Sequence, residues 1–149
     1  MRSDASAYLI YGIGLPKDFI FELSVKMGVK VEEADWLKWF VYKKTGIDIL
    51  KSDSLANSLG MDYWANKGRL YREYAIDIDY FGYRKTAILN RKYFAYIESF
   101  VSYASEISEI DMNTLSVEPT RVEKFKDFCE IMEIEYFDPK WYLCTLFVD

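Results

Sequence analysis

Two aspartates that stand two positions apart are the residues of this sequence best placed to act as a chemical pair. Asp77 and Asp79 alternate with isoleucines between Tyr74 and Tyr80, and this alternation predicts a half-buried strand with both carboxylates on one face, about 7 Å apart. Such a pair could hold a divalent cation or work as an acid and a base in a carboxylate-based metal-dependent enzyme. The competing interpretation is a solvated strand face, because the sequence offers no identifiable third ligand. We therefore expect no metal and no cofactor.

Histidine is absent from the 149 residues, and this absence narrows the chemistry further. It excludes Ser-His-Asp and Cys-His activation of a nucleophile, because both need an imidazole. Cys129 and Cys144 are the two cysteines, and two thiolates alone cannot complete a tetrahedral zinc shell. We expect both to be reduced thiols, and we expect the protein not to be an enzyme.

An aromatic run suggests a second kind of function, nucleic-acid binding. The third strand of the RNA-recognition motif places a basic residue before alternating aromatic and small residues and then an aliphatic one. The matching residues here are Lys92, Phe94, Ala95, Tyr96 and Ile97. A tyrosine replaces the glycine of that motif, and a serine replaces its closing aromatic. On this hypothesis Tyr11, Phe94 and Tyr96 stack RNA or single-stranded DNA bases, with Arg91 and Lys92 near the phosphates. The alternative is an ordinary aromatic strand in a tyrosine-rich chain.

Negative charge is concentrated in the last third of the chain. Residues 98–138 carry 11 acidic and three basic side chains, while the whole chain has a net charge of −5. The expected last helix has an apolar stripe and, on its opposite face, an acidic one. The acidic stripe consists of Glu123, Asp127, Glu130 and Glu133. It is either a solvated helix face or a docking face for a partner with a basic surface.

The elements that position these residues alternate between strands and helices. Strands are expected at 7–13, 74–80, 93–103 and 141–148, and residues 83–89 could extend the sheet. Helices are expected at 17–27, at 32–45 and from Thr120, where a capping box formed with Glu123 begins the last helix. A short strand could lie at 47–50, and 47–72 has no clear interpretation beyond an insertion. We predict one α+β domain over 1–149, an antiparallel sheet with helices on one face and a ferredoxin-like βαββαβ order with an extra helix and an insertion. The other sheet face would be available to partners.

The two ends of the chain are similar to small bacteriophage and prophage accessory proteins. The similarity rests on an N-terminal Tyr-Gly strand at 8–15 and on a C-terminal helix that is followed by the Pro-x-Trp-Tyr-Leu strand beginning at Pro139. It covers about a third of the chain. It implies a phage origin and, by analogy, a protein that binds and inhibits a host or defence-system protein.

A non-enzymatic binding protein is therefore our first expectation, with nucleic-acid binding and a metal-dependent enzyme as alternatives. A homodimer is compatible with the 13 tyrosines. No apolar stretch approaches the roughly 20 residues of a membrane span, and the start of the chain has no apolar leader. We expect a cytoplasmic protein, in the host cytoplasm if it is phage-encoded.

Overall fold

The structure is a computed structural model that describes residues 4–47, 58–103 and 109–148. Its strands are β1 (Asp4–Gly14), β2 (Asp77–Tyr83), β3 (Lys92–Tyr103) and β4 (Lys140–Val148). Its α-helices are α1 (Phe19–Met27), α2 (Trp36–Thr45), α3 (Ser58–Tyr74) and α4 (Pro119–Met132). Short 3-10 turns lie at Val31–Glu33, Ile88–Asn90 and Met112–Leu115. The α+β class agrees with the sequence-based expectation.

The four strands lie in the order β4–β1–β3–β2, and the two outer strands meet to close a small barrel. Every other neighbouring pair is antiparallel, but β2 and β4 pair in parallel, Gly82 opposite Leu146 and Tyr83 opposite Phe147. The expectation of a purely antiparallel sheet is therefore wrong. Gly82 has φ +110°, a conformation that favours glycine, and it directs the end of β2 toward β4.

A β-bulge gives the sheet additional curvature. The register between β1 and β3 shifts at Tyr11/Gly12, and bulges bend a strand and increase its twist. A Cβ atom on Gly12 would lie 2.0 Å from the carbonyl oxygen of Ala95. Only glycine allows the two backbones to approach this closely.

The helices cover one face of the sheet and form the main core with it. Ile20, Leu23 and Met27 are buried there and form the inward face of α1. The other helices contribute Phe40 and Val41 of α2, Leu70 and Tyr74 of α3, and Phe125, Phe128, Cys129 and Met132 of α4. The sheet meets them with Ile13, Ile76, Ile78, Ala95 and Ile97.

Two helix starts differ from the sequence-based prediction. Helix α2 begins at Trp36, not at residue 32, because the Asp35 side chain caps it by accepting hydrogen bonds from the backbone N–H groups of Leu37 and Lys38. The predicted capping box at Thr120 is wrong. Helix α4 begins at Pro119, next to an N-cap without a side-chain hydrogen bond, because the fixed φ of proline suits the first turn.

The segment without a clear interpretation contains the longest helix of the described residues. Helix α3 extends through Tyr74, and Ala75 ends it at φ +52°, so the following strand starts at Asp77 and not at Tyr74. Residues 84–90 form a turn and a 3-10 helix and do not extend the sheet. The short strand considered at 47–50 lies almost wholly outside the described residues.

The second face of the sheet, which we expected to be open to partners, is folded into the interior of the barrel. Ile10 and Tyr96 are buried there, away from the helix-side core. The rings that surround them are those of Tyr8, Phe81, Phe94 and Tyr142, with centroids 5.1–6.2 Å apart in successive contacts. Among the described residues, no helix is long and apolar enough to cross a membrane.

Candidate binding surfaces

The four residues of the predicted acidic stripe, which ends at the α4 C-cap Glu133, divide into two that have side-chain partners and two that have none among the described residues. Asp127 accepts a hydrogen bond from the Tyr74 hydroxyl at 2.6 Å. Glu133 lies 3.4 Å from the Lys26 ammonium and 3.6 Å from that of Lys43, and these lysines lower its pKa. Glu123 and Glu130 are exposed, and within the described residues neither has an ion pair or a side-chain hydrogen bond. Two of the four predicted residues are thus available to a partner.

The three rings proposed to stack bases do not share one surface. Tyr11 packs on the helix side of the sheet, with its ring 5.0 Å from Trp141. Phe94 and Tyr96 alternate with core residues of β3 and point into the barrel, where Tyr96 is only 9% exposed. A continuous platform of Tyr11, Phe94 and Tyr96 is therefore absent from this fold.

The two basic residues of that hypothesis are also engaged with the protein itself. The Arg91 guanidinium lies 4.2 Å from the centroid of the Tyr80 ring, and its Nε donates to the carbonyl of Thr86. The Lys92 ammonium lies 5.8 Å from the centroid of the Phe94 ring. Both cations thus lie beside aromatic side chains, and Lys92 is exposed.

Asp77 and Asp79 lie close together, and each carboxylate accepts a hydrogen bond from a tyrosine. The Tyr71 hydroxyl donates to Asp77 at 2.7 Å, and Tyr96 donates to Oδ2 of Asp79. The hydrogen bond to Asp77, with partial burial, raises the pKa of Tyr71 to about 12. Burial, with a contribution from the charge of Asp77, raises the pKa of Asp79. No group of three or more potential metal-ligating His, Cys, Asp or Glu side chains occurs among the described residues.

An apolar row crosses the outer sheet face beyond the edge of the helices. Leu9 of β1 lies directly opposite Phe100 of β3 on one side and Leu143 of β4 on the other. Directly opposite residues share a face, so these three side chains form one continuous row. Leu143 is 77% exposed. The sequence places Leu143 in a strand but contains no sign that the helices stop short of it.

This row is part of a shallow groove of about 310 Å³, which we call the outer groove. Its lining residues are Ala7, Leu9, Phe100, Val101, Ser102, Glu109, Ile110 and Leu143. Glu109 is the one charged side chain among them. Ile110 is itself substantially exposed, so the described lining of the groove is largely apolar with an acidic edge.

A second concave region lies at one end of the barrel, and we call it the barrel mouth. It has a volume of about 290 Å³ and is lined by Tyr8, Asp79, Tyr80, Phe81, Arg84, Tyr96 and Leu146. The Tyr8 and Phe81 rings are in contact, with centroids 5.4 Å apart. The backbone N–H of Arg84 donates to the carbonyl of Phe147, while its guanidinium has no partner within the described part of the chain.

Both cysteines are free thiols, as expected. Cys129 is buried in the helix-side core, and burial raises its pKa to about 12. Cys144, on β4, is half-buried, and its pKa is also raised by burial. Burial is the cause of both shifts, and no cation among the described residues lowers either pKa.

No protein-family model, no curated protein and no solved structure matches this chain.

Proposed function

We propose that this chain is a non-enzymatic binding protein that docks a partner protein on the outer groove. The observation that carries the proposal is the row formed by Phe100, Leu9 and Leu143, which crosses three paired strands. Among the described residues, Leu143 is 77% exposed, while Leu9 and Phe100 are half-buried. Large exposed apolar patches on soluble proteins mark interaction sites more often than chance.

Burial of the exposed leucine in this row would contribute to the free energy of binding a partner. Burying a leucine side chain contributes about 1.5–3 kcal/mol relative to leaving it in water. Leu143 remains 77% exposed although it lies opposite another leucine in a regular strand pair. A partner that covers Leu143 gains this contribution at the end of the row, next to Leu9.

The acidic edge of the groove and the exposed acidic residues of α4 indicate the partner's chemistry. Glu109 lies at its edge, and the outward carboxylates Glu123 and Glu130 belong to the same acid-rich part of the chain, 98–138, with 11 acidic and three basic side chains. A partner with apolar side chains surrounded by Lys or Arg would match this pattern. Complementary charge would set orientation and association rate more than affinity.

The frame that presents the groove is best interpreted as ferredoxin-like. The order β4–β1–β3–β2 and the single helix before β4 support this interpretation, while the three helices in the first connection and the parallel contact between β2 and β4 are departures from it. With the similarity to phage accessory proteins, we propose a host or defence-system protein as the partner. Inhibition would follow from occupation of the partner's surface.

A photo-crosslinking amino acid placed at position 143 tests the proposal directly. The matched control carries the same residue at Leu89, which is also exposed but lies in the 3-10 turn outside the groove. In bacterial lysate we expect a discrete adduct from position 143 and none from position 89. A Leu143→Glu competitor should fail to suppress the adduct, while the unlabelled wild-type protein suppresses it.

The outcomes separate the proposal from its rivals. Equal adducts from both positions, or none, would overturn docking at the groove. An adduct of the chain with itself, together with a dimer in ultracentrifugation that Leu143→Glu abolishes, would replace the heterologous partner with a second copy. Charge reversal by Glu123→Lys and Glu130→Lys should slow capture without abolishing it.

A further inference from the structure

The barrel mouth lies on the opposite face of the sheet from the outer groove, and its lining has a different chemical character. Asp79 shares this lining with four aromatic residues, Tyr8, Tyr80, Phe81 and Tyr96, and the Tyr96 hydroxyl donates to its carboxylate. The Phe81 ring contacts two of the others, since its centroid lies 5.4 Å from that of Tyr8 and 6.2 Å from that of Tyr96. The result is a concave aromatic wall with one acid in it.

Aromatic faces and a carboxylate favour the same class of ligand group, an organic cation. Ring faces carry negative electrostatic potential, and aromatic cages bind alkylated ammonium groups through it. A metal ion would need several oxygen ligands, and the described residues contain no such cluster. The barrel mouth therefore matches an alkylammonium group better than it matches a metal ion.

The carboxylate of Asp79 is held in place and is only partly used. Oδ2 accepts the hydrogen bond from the Tyr96 hydroxyl, which fixes the carboxylate against the ring. Within the described part of the chain, Oδ1 has no hydrogen-bond donor. Because Asp79 remains exposed to the cavity, this oxygen is available to a ligand.

A basic side chain at the rim adds a second requirement. Arg84 lines the same cavity, its backbone is fixed to β4, and its guanidinium has no partner among the described residues. A simple cation would be repelled by Arg84, whereas a ligand with an anionic group beyond its ammonium would bind both charges. The volume of about 290 Å³ is at the small end of ligand sites.

We propose that the barrel mouth binds a small zwitterion that carries an alkylated ammonium group, with the ammonium among the rings beside Asp79 and the anionic group at Arg84. This site is separate from the outer groove and does not depend on the function proposed above.

Calorimetry and ring-proton NMR on the full chain test this site with defined probes. The probes are phosphocholine, glycine betaine, choline and 3,3-dimethyl-1-butanol, the last being an uncharged isostere of choline. We expect the two zwitterions to bind most tightly, choline to bind more weakly and the isostere to bind at least tenfold more weakly than choline. Ring-proton shifts should involve Tyr8 and Phe81. A preference for phosphocholine or for betaine identifies the anionic group.

Substitutions of Asp79 and Arg84 test which residue binds the ammonium group and which binds the anionic group of the ligand. Asp79→Asn should weaken both zwitterions and choline at least tenfold, while Arg84→Gln should remove the advantage of the zwitterions over choline. Glu32→Gln, an exposed acid in the 3-10 turn Val31–Glu33, is the matched control and should change nothing, and circular dichroism confirms folding of each variant. Absence of binding at millimolar concentration, or equal binding of choline and its neutral isostere, would overturn the proposal.

Discussion

The two faces of one curved sheet have different kinds of interior. On the helix side, Phe40, Phe125 and Phe128 are completely buried between four helices and the strands. On the barrel side, the strands alone enclose the interior, and Tyr8, Phe81 and Phe94 remain half-buried. Each side has a partly buried tyrosine–aspartate hydrogen bond, from Tyr74 to Asp127 on the helix side and from Tyr96 to Asp79 on the barrel side.

This difference suggests a division between stability and recognition. A sealed apolar core contributes mainly to stability, because the apolar surface is removed from water. A barrel of four strands is too narrow to enclose a layered core, so aromatic rings fill it and a cavity remains at its mouth. Both of our proposed sites lie where the helices do not reach.

The largest expected effect distinguishes the two interiors directly. Phe125→Ala leaves a sealed cavity in the helix-side core, and we expect a loss of about 3–5 kcal/mol in the free energy of unfolding. Phe94→Ala removes a ring that is already half-exposed, and we expect clearly less. Urea denaturation followed by circular dichroism gives both values. A larger loss for Phe94→Ala would show that the barrel side is the dominant core.

Substitutions at two glycines of β1 test how much the close approach of β1 and β3 at the bulge contributes to stability. In Gly12→Ala the new methyl group would meet the Ala95 carbonyl oxygen at 2.0 Å and the Tyr96 Cα at 2.6 Å. Since backbone atoms cannot move aside cheaply, we expect a loss of about 1–3 kcal/mol. Gly14→Ala is the control, because its nearest neighbour would be the Phe94 ring at 3.5 Å.

Thermal or urea unfolding of both glycine variants measures this difference. We expect Gly14→Ala to remain within about 0.5 kcal/mol of the wild type. Equal stability of the two variants would mean that the bulge relaxes without cost and that curvature at this point does not depend on glycine.

The sequence predicts the parts of this fold that have a regular local pattern. The α1 face of Ile20, Leu23 and Met27 follows helical spacing, and β3 follows from its run of aromatic and β-branched residues. Helix α3 was missed because Gly60 and Gly68 interrupt a polar segment, although Leu70 and Tyr74 pack into the core. Tertiary packing, which a local pattern does not contain, stabilises that helix.

The candidate sites were predictable only in part, for a similar reason. Alternation placed Asp77 and Asp79 together, but their tyrosine partners lie outside the strand, Tyr71 on the preceding helix α3 and Tyr96 on the neighbouring strand β3. The exposure of Leu143 depends on where the helices end over the sheet. Barrel closure depends on a two-residue parallel contact, which has no signature in sequence.

A smaller effect is expected from the polar contact inside the barrel. Tyr96→Phe keeps the ring and removes only the hydroxyl that donates to Asp79. We expect a loss of about 1 kcal/mol in the free energy of unfolding, because Asp79 can still reach water. Urea denaturation at pH 7 measures it. A loss as large as that of Phe125→Ala would contradict the view that the barrel side contributes little to stability.

The carboxylate of Asp79, which accepts the hydrogen bond from Tyr96, also makes the free energy of unfolding depend on pH. Burial raises the pKa of Asp79 in the folded protein, so between its ordinary value and the raised value the folded state binds more protons than the unfolded state. Stability should therefore fall as the pH rises through this window. Asp79→Asn should abolish this fall. Tyr96→Phe should extend it to higher pH, because the hydrogen bond from Tyr96 lowers the pKa of Asp79.

The smallest expected effect on stability comes from the exposed ion pairs of Glu133 on the helix side. Its pH dependence is opposite in direction to that of Asp79. Lys26 and then Lys43 lower the pKa of Glu133, so its contribution is present above the ordinary carboxyl pKa and is lost as the pH falls through the lowered value. Glu133→Gln should remove this acid-side loss, and added salt should reduce it in the wild type. Glu133 has φ +60° at the end of α4. Glutamine retains that strained backbone, so Glu133→Gln changes the charge alone, whereas Glu133→Gly would also relieve the strain.

Because Asp79 and Glu133 change stability in opposite directions, unfolding measured from pH 2 to pH 7 in the two amide variants assigns each slope to one side of the sheet. If Asp79→Asn removed the acid-side loss and Glu133→Gln left it unchanged, the assignment of the two sides would be wrong.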